Sequence, residues 1–476
     1  MADMTLVRHL IGGEWVGDPA VERRNPFDDS PVAVIAQGDA VVVDQAVASA
    51  ADAQRGWADR PAPARGAVLL DAAELLRSRQ RDVAADLVRE EGKTLAEAMG
   101  EVRRAIDVLR FFGSLGWRPS GEVLPSGTPS TMVYTRREPL GVVGLITPWN
   151  FPIAIPAWKM APALVSGNTV VIKPAELTPL SVHHLVSALV DAGLPAGVVN
   201  IVNGQGSVVG EALCAHRDVA AVSFTGSTAV GEHIRGVVQA RRGRVQLEMG
   251  GKNALVVLDD ADAMVAAQLA AAGGFGLTGQ ACTATSRAIV TPGVYEEFVA
   301  ALTAAAAAIS LGDGLADGVG MGPVVSDDQL DTDLKALQQA RADGTVSGGE
   351  RAGVRLLHPA VVTGLDHDHP VATDEVFGPV ITVLPAANLN EAIDAVNHSA
   401  YGLTAGICTR SLASAQHFAN RVQAGVVKVN RPTTGLDLNV PFGGVKQSSS
   451  NTFREQGATA LDFYTWSKSV YLGHDL

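Results

Sequence analysis

Short runs of β-branched residues alternate with longer Ala-rich segments that carry spaced charges, and this alternation limits the possible folds more than any other feature. The β-branched runs predict buried strands over 141–146, 169–172, 198–202, 220–224, 254–258, 288–290 and 425–429. The Ala-rich segments predict helices over 41–58, 67–91, 101–113, 180–192 and 295–309. The alternation is strongest over 141–258, which predicts right-handed crossovers and a parallel sheet with helices on both faces.

A second alternating block covers 252–446, and two further segments fit neither block. Residues 120–137 are rich in Pro, Gly and Thr and then extended, like a hairpin, while 464–471 resembles a strand. We expect one small sheet built from both segments. The predicted fold class is α/β, with two alternating domains and a small β domain. Because the free edges of a small sheet tend to pair with another chain, we expect an oligomer.

The charge balance excludes several classes of partner. The 476 residues carry 37 Lys and Arg against 50 Asp and Glu, a formal net charge of −13. An acidic surface argues against binding to nucleic acid or to anionic membranes, because both need clustered cations. Hydrophobic residues make up 47% of the chain, which excludes disorder over most of its length. No apolar stretch predicts a membrane span, and three scattered cysteines predict a reducing, cytoplasmic compartment without disulfides or a metal site.

Cys282 lies in the segment Phe-Gly-Leu-Thr-Gly-Gln-Ala-Cys-Thr, shortly after two glycines and before a predicted strand. Most internal cysteines are inert, buried hydrophobic residues, and this interpretation is kept for Cys214 and Cys408. Glycines allow the backbone to approach a ligand closely, so Cys282 is interpreted instead as a thiol presented at a turn. It is the candidate nucleophile of the chain.

Two polar residues also follow predicted strands. Glu248 ends an apolar stretch before a pair of glycines, where burial would raise the pKa of the carboxylate and suit it to take a proton from water. The alternative is a partly exposed carboxylate at a strand end. Asn150 lies between two prolines just after the strand at 141–146. It is either a rigid amide donor for an oxyanion or a turn-forming asparagine.

Three further segments place polar or aromatic groups at strand ends. In Ile-Lys-Pro-Ala-Glu (172–176), Lys173 and Glu176 can hydrogen-bond ribose hydroxyls, or form a solvated loop. The segment Phe-Thr-Gly-Ser-Thr-Ala-Val-Gly (224–231) runs into a helix start whose amides can hold a diphosphate, although it lacks the G-x-G-x-x-G pattern. The segment Asp-Glu-Val-Phe-Gly-Pro (374–379) joins a charged pair to an aromatic residue and a turn.

Taken in order, these six segments resemble the aldehyde dehydrogenase superfamily over essentially the whole chain. The resemblance implies that Cys282 is the nucleophile, Glu248 the general base and Asn150 the oxyanion donor, together with the Cys282 amide. It also implies that Lys159 relays the proton of the base. Because family members that transfer the acyl group to coenzyme A generally lack the carboxylate, Glu248 implies that water is the acyl acceptor.

The resemblance also gives the predicted domains their roles. It implies a Rossmann-like dinucleotide-binding domain over 1–118 and 138–250 and an α/β catalytic domain over 251–447. A small β oligomerisation domain is expected over 119–137 and 448–476, within a homodimer or homotetramer. Trp466 occupies a tail position that is acidic in some relatives, which weakens any proton-relay role there.

An NAD or NADP cofactor is implied as well, and no metal. Lys173 and Glu176 match residues that bind the adenosine ribose, and the other implied contacts hold the diphosphate and the nicotinamide end. The complete implied set is Thr147, Trp149, Lys173, Glu176, Gly226, Ser227, Gly250, Glu375 and Phe377. A carboxylate at Glu176 favours NAD because it accepts bonds from both ribose hydroxyls, yet it could swing away to let Lys173 meet a 2′-phosphate. Both cofactors remain open.

The segment Asn-Arg-Pro-Thr-Thr-Gly-Leu-Asp-Leu (430–438) is similar to that of family members that oxidise 2,5-dioxopentanoate, also called α-ketoglutaric semialdehyde. This small-molecule aldehyde carries a carboxylate, so a cation should line its tunnel. Some relatives place an Arg where this chain has Trp158. Arg104 and Arg431 are the two substitutes, and each could equally be a solvated surface residue. The small Ala281 beside the nucleophile is expected to widen the tunnel.

Two other functions stay open. Phe112, Phe151 and Trp158 could line an apolar tunnel suited to a broad-specificity or aromatic aldehyde dehydrogenase. A non-catalytic structural or binding protein is the remote alternative, and the intact set of Cys282, Glu248 and Asn150 argues against it.

Overall fold

The computed structural model describes residues 4–118 and 120–474. The strands, in chain order, are β1 (Thr5–Val7), β2 (His9–Ile11), β3 (Glu14–Val16), β4 (Pro19–Arg24), β5 (Pro31–Ala36), β6 (Val123–Leu124), β7 (Thr131–Pro139), β8 (Val142–Ile146), β9 (Thr169–Lys173), β10 (Val199–Ile201), β11 (Val219–Thr225), β12 (Arg244–Glu248), β13 (Ala254–Val257), β14 (Arg287–Val290), β15 (Thr345–Gly348), β16 (Ala360–Thr363), β17 (Val380–Pro385), β18 (Tyr401–Gly402), β19 (Thr404–Cys408), β20 (Val426–Val429), β21 (Val445–Lys446) and β22 (Thr465–Gly473).

The α-helices, in chain order, are α1 (Ala40–Ala58), α2 (Ala62–Ser78), α3 (Gln80–Glu91), α4 (Leu95–Ser114), α5 (Ala154–Val165), α6 (Pro179–Asp191), α7 (Glu211–Ala215), α8 (Thr228–Ala240), α9 (Ala263–Phe275), α10 (Tyr295–Ala307), α11 (Asp327–Asp343), α12 (Pro370–Thr373), α13 (Leu389–Asn397), α14 (Leu412–Arg421) and α15 (Ala460–Tyr464). Shorter helical turns cover Leu115–Trp117, Gly206–Gly210 and Gly276–Gly279. Within the described residues, no helix combines the length and the apolar character needed to span a bilayer.

The first seven-stranded sheet has the order β12-β11-β8-β9-β10-β2-β3 and is parallel from β12 to β10. Both faces are covered. Val170 and Ile172 pack into a core shared with α2–α6, while Val171 packs into a core shared with α1, α7 and α8. This burial on both sides explains why the strands are unbroken apolar runs, and the predicted parallel sheet is confirmed. The carboxyl ends of β8, β9, β11 and β12 therefore open on one edge, where α/β folds bind ligands.

The second seven-stranded sheet has the order β15-β16-β17-β14-β13-β19-β20, with only β15 antiparallel to its neighbour. It forms from the second alternating block. The turn that carries Cys282 connects α9 to β14, so the thiol lies at the entrance to a central strand of this sheet.

The small predicted sheet is present in the order β22-β7-β6. The β22 strand pairs with β7 from Thr465 opposite Pro139 to Gly473 opposite Thr131. Within the predicted range 448–476, residues 448–464 do not join this sheet. They return to the site instead, through bridges from Ser449 to Glu248 and from Glu455 to Phe442. The ends of the predicted domains at 1–3, 119 and 475–476 lie outside the described residues.

Two helix predictions need correction. The segment 67–91 is two helices, because the chain turns at Arg79, whose ψ of 3° leaves the helical range. The turn lets both α2 and α3 pack against α4 and α6. The α4 helix begins at Leu95, earlier than the predicted 101, because Thr94 and Glu97 form a reciprocal capping box.

Candidate active site

Two cavities meet at Cys282. The first, called the α4 cavity here, has a volume of about 450 Å³, and its lining includes Glu97, Glu101, Arg104, Phe151, Trp158, Phe442 and Cys282. The second, called the strand-end cavity, has a volume of about 250 Å³, and its lining includes Trp149, Asn150, Gly226, Ser227, Gly250, Glu375, Phe377 and Cys282. A group bound in either cavity would therefore reach the same sulfur.

The turn before Cys282 is strained and tightly held. Leu277 and Thr278 adopt left-handed φ values of 55° and 57°, which are uncommon for residues with a Cβ. The Leu277 amide donates to Glu97 Oε1 at 2.7 Å. Gly279 has φ 69°, and a Cβ there would lie 2.1 Å from the Gly378 carbonyl oxygen, so only glycine fits. The predicted glycine turn thus brings Cys282 against the loop that carries Glu375 and Phe377.

Side chains from two other segments fix the backbone on the far side of the sulfur. Asn253 Nδ2 donates to the carbonyls of Cys282 and Ala284 at 2.8 and 2.9 Å. Thr433 Oγ1 donates to the Thr283 carbonyl at 2.7 Å. Neither Asn253 nor Thr433 was predicted, although both lie in segments that the sequence had singled out.

Cys282 is half-buried as a residue and lines both cavities, whereas Cys214 and Cys408 are buried and line neither the α4 cavity nor the strand-end cavity. Burial raises the pKa of the Cys282 thiol to about 12, and the carboxylates of Glu375 and Glu248 contribute to the rise. The sulfur is therefore a neutral thiol near pH 7 in this arrangement of charges. It needs a positive charge or a proton acceptor nearby to become nucleophilic.

Asn150 is held rigidly beside Cys282. Its Nδ2 donates to the Gln280 carbonyl at 2.9 Å, two residues before the nucleophile. The backbone carbonyl of Asn150 accepts a hydrogen bond from Lys93 Nζ at 2.8 Å. Because a primary amide has two N–H donors, one remains for a further acceptor. The predicted rigid amide donor fits this arrangement.

A buried ion pair beneath Asn150 escaped sequence reasoning. Lys93 Nζ lies 2.6 Å from Glu101 Oε2. Glu101 Oε1 accepts from the amides of Ile153 and Ala154 at 3.0 and 3.1 Å, at the start of α5. The pair thus ties α4 to the Asn150 turn through hydrogen bonds on both partners. The Gly-Lys-Thr sequence between α3 and α4 resembles a solvated turn, and only packing distinguishes Lys93 from a surface lysine.

Glu248 is buried but lines neither cavity. Its Oε2 accepts from the Gly444 amide at 3.3 Å, and its Oε1 accepts from Ser449 Oγ at 3.2 Å. Burial raises the pKa of Glu248 well above its usual range, and the negative charge of Glu455 raises it further. The predicted rise in pKa is present, and in this arrangement the carboxylate is bonded to Gly444 and Ser449.

Lys159 does not hydrogen-bond Glu248. Its Nζ pairs with Glu455 and donates to Ser223 Oγ at 2.8 Å, and the charges of Lys159 and Glu455 act in opposite directions on the pKa of Glu248. Glu455 is buried and was not predicted; the Arg-Glu-Gln-Gly sequence around it was the available signal. Trp466, considered for the tail position, is instead 43% exposed on β22.

The strand-end cavity gathers most of the predicted cofactor residues. The rings of Trp149 and Phe377 meet edge to face at 5.4 Å. Glu375 Oε1 accepts from the Gly251 amide at 2.8 Å, and a Cβ on Gly250 would lie 2.0 Å from Glu375 Oε2. Burial raises the pKa of Glu375 to about 7. The glycine pair after β12 therefore makes room for this carboxylate.

The remaining predicted cofactor residues lie along the same sheet edge. Glu176 Oε1 accepts from the Gly206 amide at 2.7 Å, and Lys173 Nζ donates to the Pro174 carbonyl at 2.8 Å. Thr147 and Thr225 each have a buried hydroxyl without a hydrogen-bond partner in the described residues. Ser227 caps α8 with no side-chain bond to it, which leaves its hydroxyl available to a ligand.

Only two of the three predicted substrate residues line the α4 cavity. Arg104 and Trp158 line the α4 cavity, as do Phe151 and Ala281. Arg431 does not: it is exposed, and its guanidinium bonds to the carbonyl of its own neighbour Asn430. Its assignment to the tunnel was wrong, because the 430–438 loop turns the backbone around Thr434–Leu436, rather than Arg431, toward the cavity. Phe112 is buried and does not line the cavity.

Comparison with known sequences places these residues in context. A profile of the "Aldehyde dehydrogenase family" matches residues 15–470. A 2,5-dioxopentanoate dehydrogenase of Saccharolobus solfataricus is 48% identical over 423 residues, which cover 88% of each chain. An alpha-ketoglutaric semialdehyde dehydrogenase of Bacillus subtilis is 42% identical over 476 residues, covering 98% of this chain and 97% of the relative.

Solved structures agree on the fold. An aldehyde dehydrogenase of Bacillus cereus superposes with a TM-score of 0.95 at 35% identity, covering 98% of this chain and 96% of the other. A betaine aldehyde dehydrogenase of Staphylococcus aureus, solved in complex with NAD⁺, also gives a TM-score of 0.95, at 32% identity over 98% of this chain and 95% of the other.

Proposed function

Since this chain belongs to the aldehyde dehydrogenase family, whose members are NAD(P)-dependent oxidoreductases, we propose that it oxidises 2,5-dioxopentanoate to 2-oxoglutarate. The observation that carries the proposal is the meeting of the two cavities at Cys282, with one cation, Arg104, among the α4-cavity residues. The α4 cavity is the aldehyde side, and the strand-end cavity is the cofactor side.

The first chemical step is attack of the Cys282 sulfur on the aldehyde carbon. An aldehyde itself does not release hydride, whereas the tetrahedral thiohemiacetal oxyanion does. We assign the stabilisation of that oxyanion to the free N–H of the Asn150 amide and the backbone N–H of Cys282, because Asn150 is fixed by its bond to the Gln280 carbonyl beside the sulfur. One such donor contributes about 3–4 kcal/mol. Loss of hydride then leaves a thioester on Cys282.

The second step is hydrolysis of the thioester. Glu248, with its raised pKa, takes a proton from water as the water attacks the acyl carbon, which releases the carboxylate and restores the thiol. We assign the onward transfer of that proton to Lys159 and Glu455, because they form a buried pair whose charges act on the pKa of Glu248. The test of this order is a variant that blocks only the second step, described in the Discussion.

The strand-end cavity and the sheet edge beside it together suit a nicotinamide dinucleotide. The free hydroxyls of Thr147, Thr225 and Ser227 are donors without partners in the described residues, and Gly250 leaves space beside Glu375. We assign Lys173 and Glu176 to the adenosine ribose, Gly226 and Ser227 to the diphosphate, and Trp149, Gly250, Glu375 and Phe377 to the nicotinamide end. When bound, the cofactor supplies the hydride acceptor and a positive charge that favours the thiolate. NAD and NADP both remain candidates.

The one cation of the α4 cavity supports an acidic substrate. Glu101 is neutralised by Lys93, and Glu97 is engaged by the Thr94 cap and the Leu277 amide. Arg104 is the single Lys, Arg or His among the residues that line the cavity. A substrate with a carboxylate at the end opposite its aldehyde can therefore place the anion at Arg104 while its carbonyl reaches Cys282.

The small sheet supports an oligomer, which we propose to be a homodimer or homotetramer. Val123, Tyr471 and Leu472 are exposed on it by 72%, 73% and 53%. Apolar side chains next to strand edges are typical of surfaces that pair with another chain. Cys214, Cys282 and Cys408 are unpaired, which supports a reducing compartment such as the cytoplasm. Light scattering of the purified protein tests the oligomer: a monomer at micromolar concentration contradicts it.

A substrate panel tests the proposed function. We expect kcat/KM for 2,5-dioxopentanoate to exceed the values for pentanal and benzaldehyde by at least tenfold, with NAD or NADP. Arg104→Leu should remove most of this preference, while Arg103→Leu, on the exposed side of the same helix, should keep it. A far better kcat/KM for benzaldehyde, whose ring would suit Phe151 and Trp158, contradicts the proposal and favours an aromatic aldehyde dehydrogenase.

A further inference from the structure

Arg104 is held by a residue from the other end of the chain. Its Nη2 donates to Gln456 Oε1 at 2.5 Å. Gln456 is 1% exposed and follows Glu455, which pairs with Lys159 behind the base. One side chain therefore connects the cation of the α4 cavity to the segment that carries the buried pair.

Backbone hydrogen bonds to neighbouring segments fix the position from which the Gln456 side chain extends. Gln456 adopts φ 58°, in the left-handed region that residues with a Cβ rarely occupy. Reciprocal hydrogen bonds of 2.6 and 2.7 Å join the backbones of Phe442 and Glu455, and the Gly457 amide donates to the Leu438 carbonyl at 3.3 Å. These contacts seat the segment on the loop that closes one side of the α4 cavity.

The amide of Gln456 is costly unless it serves Arg104. Its Nε2 is buried without a hydrogen-bond partner in the described residues. An unsatisfied buried N–H costs about 1–3 kcal/mol, which an apolar residue of similar size would avoid. The oxygen must face Arg104, because a guanidinium only donates. The hydrogen bond from Arg104 to Gln456 Oε1 is therefore the one interaction that offsets the unsatisfied Nε2.

A neutral partner has a consequence for charge. The negative charges of Asp107 and Asp437 act on the pKa of Arg104 from a distance. In the described part of the chain, no carboxylate lies within 4.0 Å of the Arg104 guanidinium. Gln456 thus orients the guanidinium without neutralising it. The guanidinium keeps its positive charge, and its remaining N–H groups can donate to an incoming anion.

We propose that Gln456 is a positioning residue that sets the preference for aldehydes with a distal carboxylate, by aiming Arg104 into the α4 cavity. This inference rests on the proposed function, because it assumes that Arg104 meets the carboxylate of the substrate. Gln456 acts through Arg104 and touches neither the reacting atoms nor the cofactor.

A double-mutant cycle tests the inference, with 2,5-dioxopentanoate and pentanal as the charged and neutral substrates. We expect Gln456→Leu to raise KM for 2,5-dioxopentanoate about tenfold, the effect of losing a hydrogen bond to a charged group, with little change in kcat. Both constants for pentanal should stay within about twofold of the wild-type values. Adding Gln456→Leu to Arg104→Leu should cause no further loss of preference, because both changes remove the same interaction.

Gln456→Glu provides a second variant that keeps the bond to Arg104 and removes its net charge. It should also lower the preference for 2,5-dioxopentanoate, and Arg103→Leu is the matched control. Equal losses on pentanal, or additive effects in the double variant, overturn the positioning role. If Arg104→Leu leaves the preference for 2,5-dioxopentanoate unchanged, the proposed substrate anchor is wrong. If Arg104→Leu removes the preference and the Gln456 variants do not, only the positioning role of Gln456 is wrong.

Discussion

The two cavities that meet at Cys282 are built in different ways. The strand-end cavity takes its walls from the carboxyl ends of the parallel strands β8, β11 and β12 and from the 374–378 loop. The α4 cavity takes its walls from one face of α4, the start of α5 and the 434–442 loop. The first contains glycines and free hydroxyls, and the second has largely apolar walls with one cation, Arg104, and the two carboxylates of Glu97 and Glu101.

This difference separates a site whose position follows from the sheet topology from a site whose lining depends on packing particular to this chain. Strand ends of a parallel sheet must meet at one edge, so a cofactor site there follows from topology. A helix face and a distant loop meet only through packing, and they can change without disturbing the sheet. We therefore infer that cofactor use is set by the sheet, and substrate choice by α4 and its partners.

Glu248→Gln makes the largest change expected, because it removes the proposed base of the hydrolysis step at Cys282, where the two cavities join. It should lower steady-state kcat by about 10²–10⁴-fold, the usual contribution of a general base. Acylation should survive, so a stopped-flow trace should still show one cofactor reduced per active site in a burst. A loss of the burst as well would assign Glu248 to the thiol step and contradict the proposed order.

Glu455→Gln sharpens the role of the pair behind the base. The negative charge of Glu455 raises the pKa of Glu248, so its removal should lower that pKa. Glu248 acts as a base only when deprotonated, so the acid limb of the kcat–pH profile should move to lower pH. Glu391→Gln, at an exposed position on α13, is the control and should leave the profile in place. An unmoved acid limb would separate Glu455 from the base.

Glu176→Gln tests the cofactor side alone. The change removes a negative charge but keeps an acceptor for the Gly206 amide, so the loop should stay in place. We expect kcat/KM for NADP to rise by about 5–10-fold, because the charge that repels a 2′-phosphate is gone. The preference among aldehydes should not change. No gain with NADP would count against Glu176 as the discriminating residue.

Asp333→Asn has the smallest expected effect and concerns the support of the strand-end cavity. Burial raises the pKa of Asp333 to about 8, while Gln329 Nε2 donates to its Oδ1 at 2.9 Å. The folded protein holds this proton more tightly than the unfolded chain, so its stabilising effect is complete below about pH 4 and is lost as pH rises to about 8.

The asparagine keeps the acceptor and cannot ionise. The variant should therefore gain about 1–3 °C in Tm at pH 8.5 relative to wild type, and less at pH 5. Asp331→Asn, exposed on the same helix, is the control for the loss of one charge. An equal change at both pH values would contradict the burial of an ionisable Asp333.

Sequence reasoning worked best on the strand-end side. Trp149, Ser227 and Glu375, which the family resemblance implied, all line the strand-end cavity. Trp149 and Ser227 follow β8 and β11, and the carboxyl ends of parallel strands converge at one sheet edge. It worked less well on the α4 side, where Arg104 and Trp158 line the cavity and Arg431 does not. The direction of a loop side chain depends on packing that no local pattern records.

The missed residues share one property. Lys93, Glu101 and Gln456 act through partners far away in the chain, such as the bond from Arg104 to Gln456 across 352 positions. Each resembles an ordinary surface residue in its local sequence. Their roles follow from burial and pairing, which depend on the tertiary fold.

The central claim is that the aldehyde becomes a thioester on Cys282, between the two cavities. The direct measurement is acid quench during the first turnover of wild type and Glu248→Gln with 2,5-dioxopentanoate and cofactor, followed by mass spectrometry of the cysteine peptides. We predict an acyl adduct on the Cys282 peptide, only when cofactor is present and most abundant in Glu248→Gln. Cofactor reduction without any adduct, or an adduct on Cys214 or Cys408 instead, would contradict the account.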